Sequence, residues 1–167
     1  MRITRILMLV LAMLSAPLAA EEPVALGGLK TLDGQGAQLA DHVGQGKWLL
    51  VMLWASDCVI CNREVPALSD FHFEHSDDLA EVIGVSLDGY EKRAEAQAFL
   101  DRHDPIYPNY VGEFMPVALG YQVMTGERLL GTPTFLLFTP KGELVANNPG
   151  PVSGEAVLRF IDRYQPS

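Results

Sequence analysis

Basic residues are scarce in this 167-residue chain: 12 Lys and Arg stand against 21 Asp and Glu, a formal net charge of −9. Nucleic-acid binding rests on neutralising phosphates with Lys and Arg, so this balance argues against a nucleic-acid partner. It argues equally against adhesion to anionic lipid. Cysteine is scarcer still. Cys58 and Cys61 are the only two, which excludes a disulfide-stapled secreted scaffold. No internal repeat and no low-complexity linker breaks the chain, and its length suits one domain that buries roughly 68–70% of its unfolded surface.

The opening segment MRITRILMLVLAMLSAPLAA places Arg2 and Arg5 before an apolar run, Ile6–Leu14, and ends in small residues. That is the layout of a secretory signal peptide over residues 1–20. The apolar middle falls short of the roughly 20 residues of a membrane span. Cleavage after Ala20 puts Leu18 where a small residue is preferred, so an uncleaved N-terminal anchor is the alternative, and only then does the protein meet a membrane. Removing the segment leaves residues 21–167 as a single domain of 147 residues, with 10 basic against 21 acidic side chains and a net −11. The expected compartment is the periplasm, where disulfides persist.

Gly-rich residues 21–46 allow brief edge strands or a hairpin at Val24–Leu26 and Leu29–Leu32. Trp48–Ala55 is a continuous apolar run and predicts a strand buried on both faces. Val65, Leu68 and Phe71 recur at helical spacing and predict a helix from Asn62 to about Ser76. Val82–Leu87 reads as the next buried strand. Glu91–His103 reads as a charged helix with Ala94, Ala98 and Phe99 inward. A proline-containing loop follows through Pro105 and Pro108, then a short helix over Pro116–Tyr121. Thr134–Phe138 and Glu143–Ala146 form a hairpin turned by Pro140-Lys141-Gly142. An amphipathic helix from Glu155 to Tyr164 closes the chain, with Val157, Leu158 and Ile161 inward. The fold class is α/β, a central mixed sheet with helices on both faces.

Cys58-Val59-Ile60-Cys61 is the one constellation with obvious chemistry, and three readings compete. As a staple it closes too small a loop to constrain the unfolded chain much, on the order of 2 kcal/mol. As a zinc site with His72 and His75 it has the wrong spacing, and eleven residues of helix set Cys61 and His72 about 16 Å apart. Redox catalysis is the third. A first cysteine at a helix N-terminus has its thiolate favoured by unpaired N–H groups and the helix dipole, and the second lies close enough to resolve a mixed disulfide.

The segment Trp54-Ala55-Ser56-Asp57-Cys58-Val59-Ile60-Cys61 resembles the active site of the thioredoxin superfamily, closest to its periplasmic TlpA/ResA/DsbE-like group. Pro66 matches the proline that kinks the active-site helix. Glu64 matches the glutamate that group carries beside its cysteines. Gly131-Thr132-Pro133-Thr134-Phe135 matches the segment with the cis-proline loop. The resemblance covers roughly residues 24–164. It implies a thioredoxin-like three-layer α/β/α sandwich and a thiol:disulfide oxidoreductase with no cofactor. Cys58 is then the nucleophile, Cys61 the resolving cysteine and Glu64 a group that moves protons for Cys61. Thr132 and Pro133 dock the substrate backbone. Trp54 is either a core aromatic or a wall of the substrate site, and the favoured role is mostly packed with one edge near Cys58.

Two departures bear on redox direction. Asp57 stands where many members carry Trp, and Met52 stands where thioredoxins bury an acid. A carboxylate at Asp57 disfavours the Cys58 thiolate unless it serves as the helix N-cap, and Val59-Ile60 supply no cation to offset it. These three residues are expected to tune the pair toward a reducing potential. Expected partners are exported proteins with thiols or disulfides, apocytochromes and copper-site proteins among them, with a DsbD-type membrane electron donor and a monomeric state. A thiol peroxidase of related fold is the enzymatic alternative, although the Pro and Thr that precede a peroxidatic cysteine are absent before Cys58. A copper-binding or redox-inert interaction protein on the same fold is the other. His42 and His103 read as surface or loop residues.

Overall fold

The computed structural model describes residues 25–165, so the signal segment expected over residues 1–20 lies outside the described residues. Among the described residues there are five strands and four α-helices. They are β1 (Trp48–Trp54), α1 (Val59–His75), β2 (Ala80–Ser86), α2 (Arg93–His103), β3 (Asn109–Val111), α3 (Phe114–Thr125), β4 (Thr134–Phe138), β5 (Leu144–Pro149) and α4 (Gly154–Arg163). The sheet order is β3-β2-β1-β4-β5, with β1, β2 and β3 parallel to one another and β4 antiparallel to both its neighbours, β1 and β5.

The seven residues of β1 are all buried, as a central strand covered on both faces requires. Alternation sorts them into two layers. Leu50, Met52 and Trp54 join Val65, Leu68 and Phe71 of α1, Ala96 and Phe99 of α2, and Val157 of α4. Leu49, Val51 and Leu53 join Val117 and Tyr121 of α3 with Leu26, Leu29 and Leu39 from the N-terminal segment. The result is three layers, α1, α2 and α4 on one face and α3 with the N-terminal segment on the other. Each large apolar side chain so buried contributes roughly 1.5–3 kcal/mol.

The parallel strands place the C-terminal ends of β1 and β2 along one edge. Antiparallel pairing of Leu53 with Thr134 brings the start of β4 to that same edge. The turn after β1 and the segment before β4 therefore meet without any long loop.

Several expectations are corrected. Helix α1 starts at Val59, three residues before the expected Asn62, so its first turn holds the residues between the cysteines. In α2 the buried residues are Ala96 and Phe99, whereas Ala94 and Ala98 are exposed. An i, i+4 alanine pair gives little reason to choose a face; the stacking of Phe99 on Trp54, with ring centroids 4.4 Å apart, decides it. The proline loop after α2 contains β3, a three-residue edge strand paired with β2 through Gly84–Asn109. The N-terminal hairpin is reduced to single bridges from Lys30 to Gly36 and to Val111, which cover the outer edge of β3. Helix α3 runs longer than expected, from Phe114 to Thr125, with Pro116 in the first turn where a missing N–H is tolerated.

Candidate active site

Strand β1 ends at Trp54, and the chain turns at once: Cys58 N–H donates to the Ala55 carbonyl at 3.1 Å. Cys58 is the N-cap of α1, and its sulfur accepts from the Cys61 backbone N–H at 3.0 Å. Cys58 and Cys61 are joined as a disulfide with their Cα atoms 5.2 Å apart. The two sulfurs are not equivalent. Cys61 is 0% exposed, whereas Cys58 is partly exposed. A reaction partner arriving from solvent meets Cys58 at the helix N-terminus, where the dipole favours a thiolate.

Asp57 is exposed, and the capping position belongs to Cys58, so the aspartate is not the N-cap. Val59 and Ile60, 65% and 43% exposed, lie on the first turn of the helix. Trp54 is only 2% exposed. It stacks on Phe99 and donates its indole N–H to Asn109 Oδ1 at 3.1 Å. It is a core residue at the end of the strand that leads into the Ala55–Cys58 turn, as its expected packed role requires. A Cβ on Gly84 would lie 1.9 Å from Asn109 Oδ1 and 2.9 Å from Trp54 Nε1, so only glycine leaves room for that hydrogen bond.

Glu64 is half-buried, and its Oε2 accepts from the Val152 backbone N–H at 3.2 Å. It thus ties α1 to the segment that leads into α4. The Thr132–Pro133 bond is cis. Thr132 is half-buried, Pro133 is buried, and the Pro133 carbonyl accepts from Gly150 N–H at 2.8 Å. The pairing of Leu53 with Thr134 sets these two residues at the same sheet edge as the Ala55–Cys58 turn. Leu130, in the approach to that loop, is 82% exposed.

Two groups escaped the sequence reading. Asp88, just past β2, accepts from Ser56 N–H at 3.0 Å and Ser56 Oγ at 2.8 Å, and from Ser86 Oγ at 2.5 Å. Asn62 donates its side-chain N–H to the Cys58 carbonyl at 2.7 Å and accepts from His103 Nε2 at 2.7 Å. His103 packs on Phe99, so it belongs to the site's surroundings rather than to a free surface. Burial first, and the Arg102 guanidinium second, hold its pKa below the usual imidazole value. The available signal for Asp88 was its place at the C-terminal end of a parallel strand. For Asn62 it was only its place in the chain after Cys61.

His72 does not turn toward the cysteines. Its Nδ1 accepts from Val82 N–H at 3.1 Å on the adjoining strand. His42 pairs with the Tyr110 hydroxyl at 2.6 Å on the outer strand. Among the described residues no three His, Cys, Asp or Glu side chains converge as a metal site.

Comparison with known proteins places this geometry in context. The chain is 25% identical over 138 residues to the thiol-disulfide oxidoreductase ResA of Halalkalibacterium halodurans, covering 83% of this chain and 73% of that one. It is 29% identical over 135 residues to the thioredoxin-like protein YneN of Bacillus subtilis, covering 80% and 74%. Among solved structures, a thioredoxin-family thiol:disulfide interchange protein from Chlorobium tepidum superposes with a TM-score of 0.66 at 19% identity, over 79% of this chain and 88% of that one. StoA of Bacillus subtilis superposes at 0.61 and 21% identity, over 80% and 93%. The pattern of the AhpC/TSA family matches residues 22–147, which takes in β1 through most of β5, the cysteine pair and the Pro133 loop. With that span matched and the fold shared, the chain belongs to the AhpC/TSA family of thioredoxin-like proteins.

Proposed function

We propose that this thiol–disulfide oxidoreductase of the ResA and StoA kind works in the periplasm as a reductant of client disulfides. The observation that carries the reading is the asymmetry of the pair: Cys58 is accessible at the N-terminus of α1, and Cys61 is 0% exposed behind it.

In the reduced protein the Cys58 thiolate attacks one sulfur of a client disulfide. A Cys58–client mixed disulfide forms and the client's other sulfur leaves as a thiolate. Cys61, deprotonated, then attacks Cys58 Sγ, forming the Cys58–Cys61 disulfide and releasing the second client thiolate. Two electrons pass to the client, and the protein ends in the oxidised state described above. A DsbD-type membrane donor returns the electrons; no cofactor takes part. Glu64, three residues along α1 from Cys61, accepts the Cys61 proton in this reading; its carboxylate also takes a hydrogen bond from Val152 N–H. Thr132 and Pro133 offer a backbone edge for a client strand beside Cys58, flanked by the exposed Val59, Ile60 and Leu130. Asp57 disfavours the thiolate and the Val59-Ile60 pair supplies no cation to offset it, which keeps the potential reducing. The protein acts as a monomer on exported thiol proteins.

Trapping tests the assignment. Cys61→Ala stalls the cycle at the mixed disulfide and yields client adducts on Cys58 that a reductant releases. Cys58→Ala yields none. Equal trapping by both variants sinks the assignment of Cys58 as nucleophile.

A further inference from the structure

The Ala55–Cys58 turn is held by one side chain from another element. Asp88 accepts three hydrogen bonds, from the backbone N–H and hydroxyl of Ser56 and from the hydroxyl of Ser86. Ser86 is 0% exposed, and its oxygen in turn accepts the Asp88 N–H at 3.1 Å, so the carboxylate is locked to the end of β2. The same strand end is joined to the site by Leu87 N–H donating to the Trp54 carbonyl at 2.8 Å. Ser56 lies inside the turn that Cys58 N–H closes onto Ala55, and such a turn spans less than about 7 Å. A carboxylate is therefore hydrogen-bonded to the turn that presents the cysteine, at the residue two before Cys58.

We propose that Asp88 is a positioning residue for Cys58: it fixes the active-site turn against β2 and, by its charge, disfavours the Cys58 thiolate. The proposal deepens the oxidoreductase reading and rests on Cys58 being the attacking cysteine. The geometry serves both tasks at once. Three donors converge on the two oxygens, which orders the turn and orients the carboxylate. Among the described residues, the other charged or titratable groups beside the pair in the chain or hydrogen-bonded to its neighbours are Asp57 in the turn, Arg63 and Glu64 on α1, and His103 on α2. Of these, His103 reaches the pair through Asn62, and Glu64 is directed at Val152. Among the described residues Asp88 alone hydrogen-bonds into the turn from another element through a charged side chain.

A unit charge bonded to the turn, in surroundings between protein and water, shifts a thiol's midpoint by about half a unit to one unit. The test is the pH dependence of Cys58 alkylation in the reduced full-length protein, with thermal stability recorded beside it. Asp88→Asn removes the charge and keeps the shape, and the Cys58 midpoint falls by about half a unit to one unit. Ser86→Ala breaks two bonds of the clamp, the one its hydroxyl donates to the carboxylate and the one it accepts from Asp88 N–H, but leaves the charge, so it lowers stability while the midpoint stays within about 0.2 units, a small fraction of the full Coulomb shift. A clamp with only a structural role lowers stability in both variants and moves neither midpoint, and that result overturns the proposal. So does an equal shift in both. If Asp88→Asn folds poorly, Asp88→Ser supplies the same readout. The titration does not depend on turnover: a wild-type protein that reduces no disulfide removes the oxidoreductase reading, while an unmoved midpoint in an active protein removes only the role of Asp88.

Discussion

The two flanks of Cys58 are held in different ways. On the N-terminal side the turn is clamped by a carboxylate, Asp88, which takes three hydrogen bonds from Ser56 and Ser86. On the helical side the clamp is neutral at pH 7: Asn62 bonds the Cys58 carbonyl and is itself held by His103. A charged clamp acts on the thiolate through space as well as through geometry, whereas a neutral one acts through geometry alone. Both stand on the same floor, Trp54 stacked on Phe99, with His103 packed against Phe99 in turn. The contrast shows how one cysteine can be positioned from two sides and electrically tuned from one.

The largest expected effect removes the group that both clamps serve. Cys58→Ala abolishes reduction of a disulfide substrate such as insulin, measured by precipitation of its chains. Neither clamp can compensate, because the remaining thiol, Cys61, is 0% exposed.

Next comes the floor. Gly84→Ala forces a methyl group onto the Trp54–Asn109 hydrogen bond. Overpacking of this kind costs about 1–3 kcal/mol, read as a drop in denaturation midpoint, and it loosens both flanks together. An unchanged midpoint would show that the two flanks do not share this support.

Asn62→Ala strikes the neutral flank alone. It removes two hydrogen bonds and is expected to cost about 1–2 kcal/mol and to slow turnover. The Cys58 alkylation midpoint should move less than in Asp88→Asn, since no charge is lost. A larger shift would mean that the helical side is the electrically active one.

The pH dependence of folding sharpens the comparison further. His72 and His103 are both held below the imidazole value of 6.5, chiefly by burial. A folded pKa below the unfolded one means that the unfolded chain binds more protons as pH falls below about 6.5. Stability is therefore full above that pH and is lost on acidification through the lowered folded values. Protonation of His72 also breaks its acceptance from Val82 N–H. His72→Gln should flatten the loss of stability between pH 7 and 5, followed by urea denaturation at several pH values; an unchanged slope would assign the acid sensitivity to His103 and the carboxylates.

The smallest effect is at Asp57. It is exposed, so solvent screens its charge, and Asp57→Asn should lower the Cys58 midpoint by less than Asp88→Asn does. The reverse order would place the tuning charge in the turn itself.

Much of this architecture was legible in the residue pattern. Strand β1 declared itself because an unbroken apolar run has one good home, a strand covered on both faces. The cysteine pair was legible because two cysteines in a chain of this length are too few and too close for a scaffold. Strand β3 was hidden: three residues between Pro108 and Gly112 carry no periodicity, and pairing with Gly84 makes them a strand. The inward face of α2 was misread because alanines carry little burial signal, while the partner that orients the helix, Trp54, lies 45 residues away in sequence from Phe99. Asp88 and Asn62 were missed for a related reason. Their roles depend on which backbone groups they meet across the fold, and a serine 32 residues upstream leaves no local mark beside Asp88.

The central claim is that the Cys58–Cys61 pair is a reducing dithiol, and its equilibrium reduction potential tests that most directly. Equilibration of the full-length protein with glutathione or dithiothreitol buffers, with the pair read by thiol alkylation, supplies the value. A potential at or below about −200 mV, in the range of glutaredoxins and thioredoxin, is the predicted result. A potential above it, toward the about −120 mV of DsbA, would contradict the account and make the protein an oxidant.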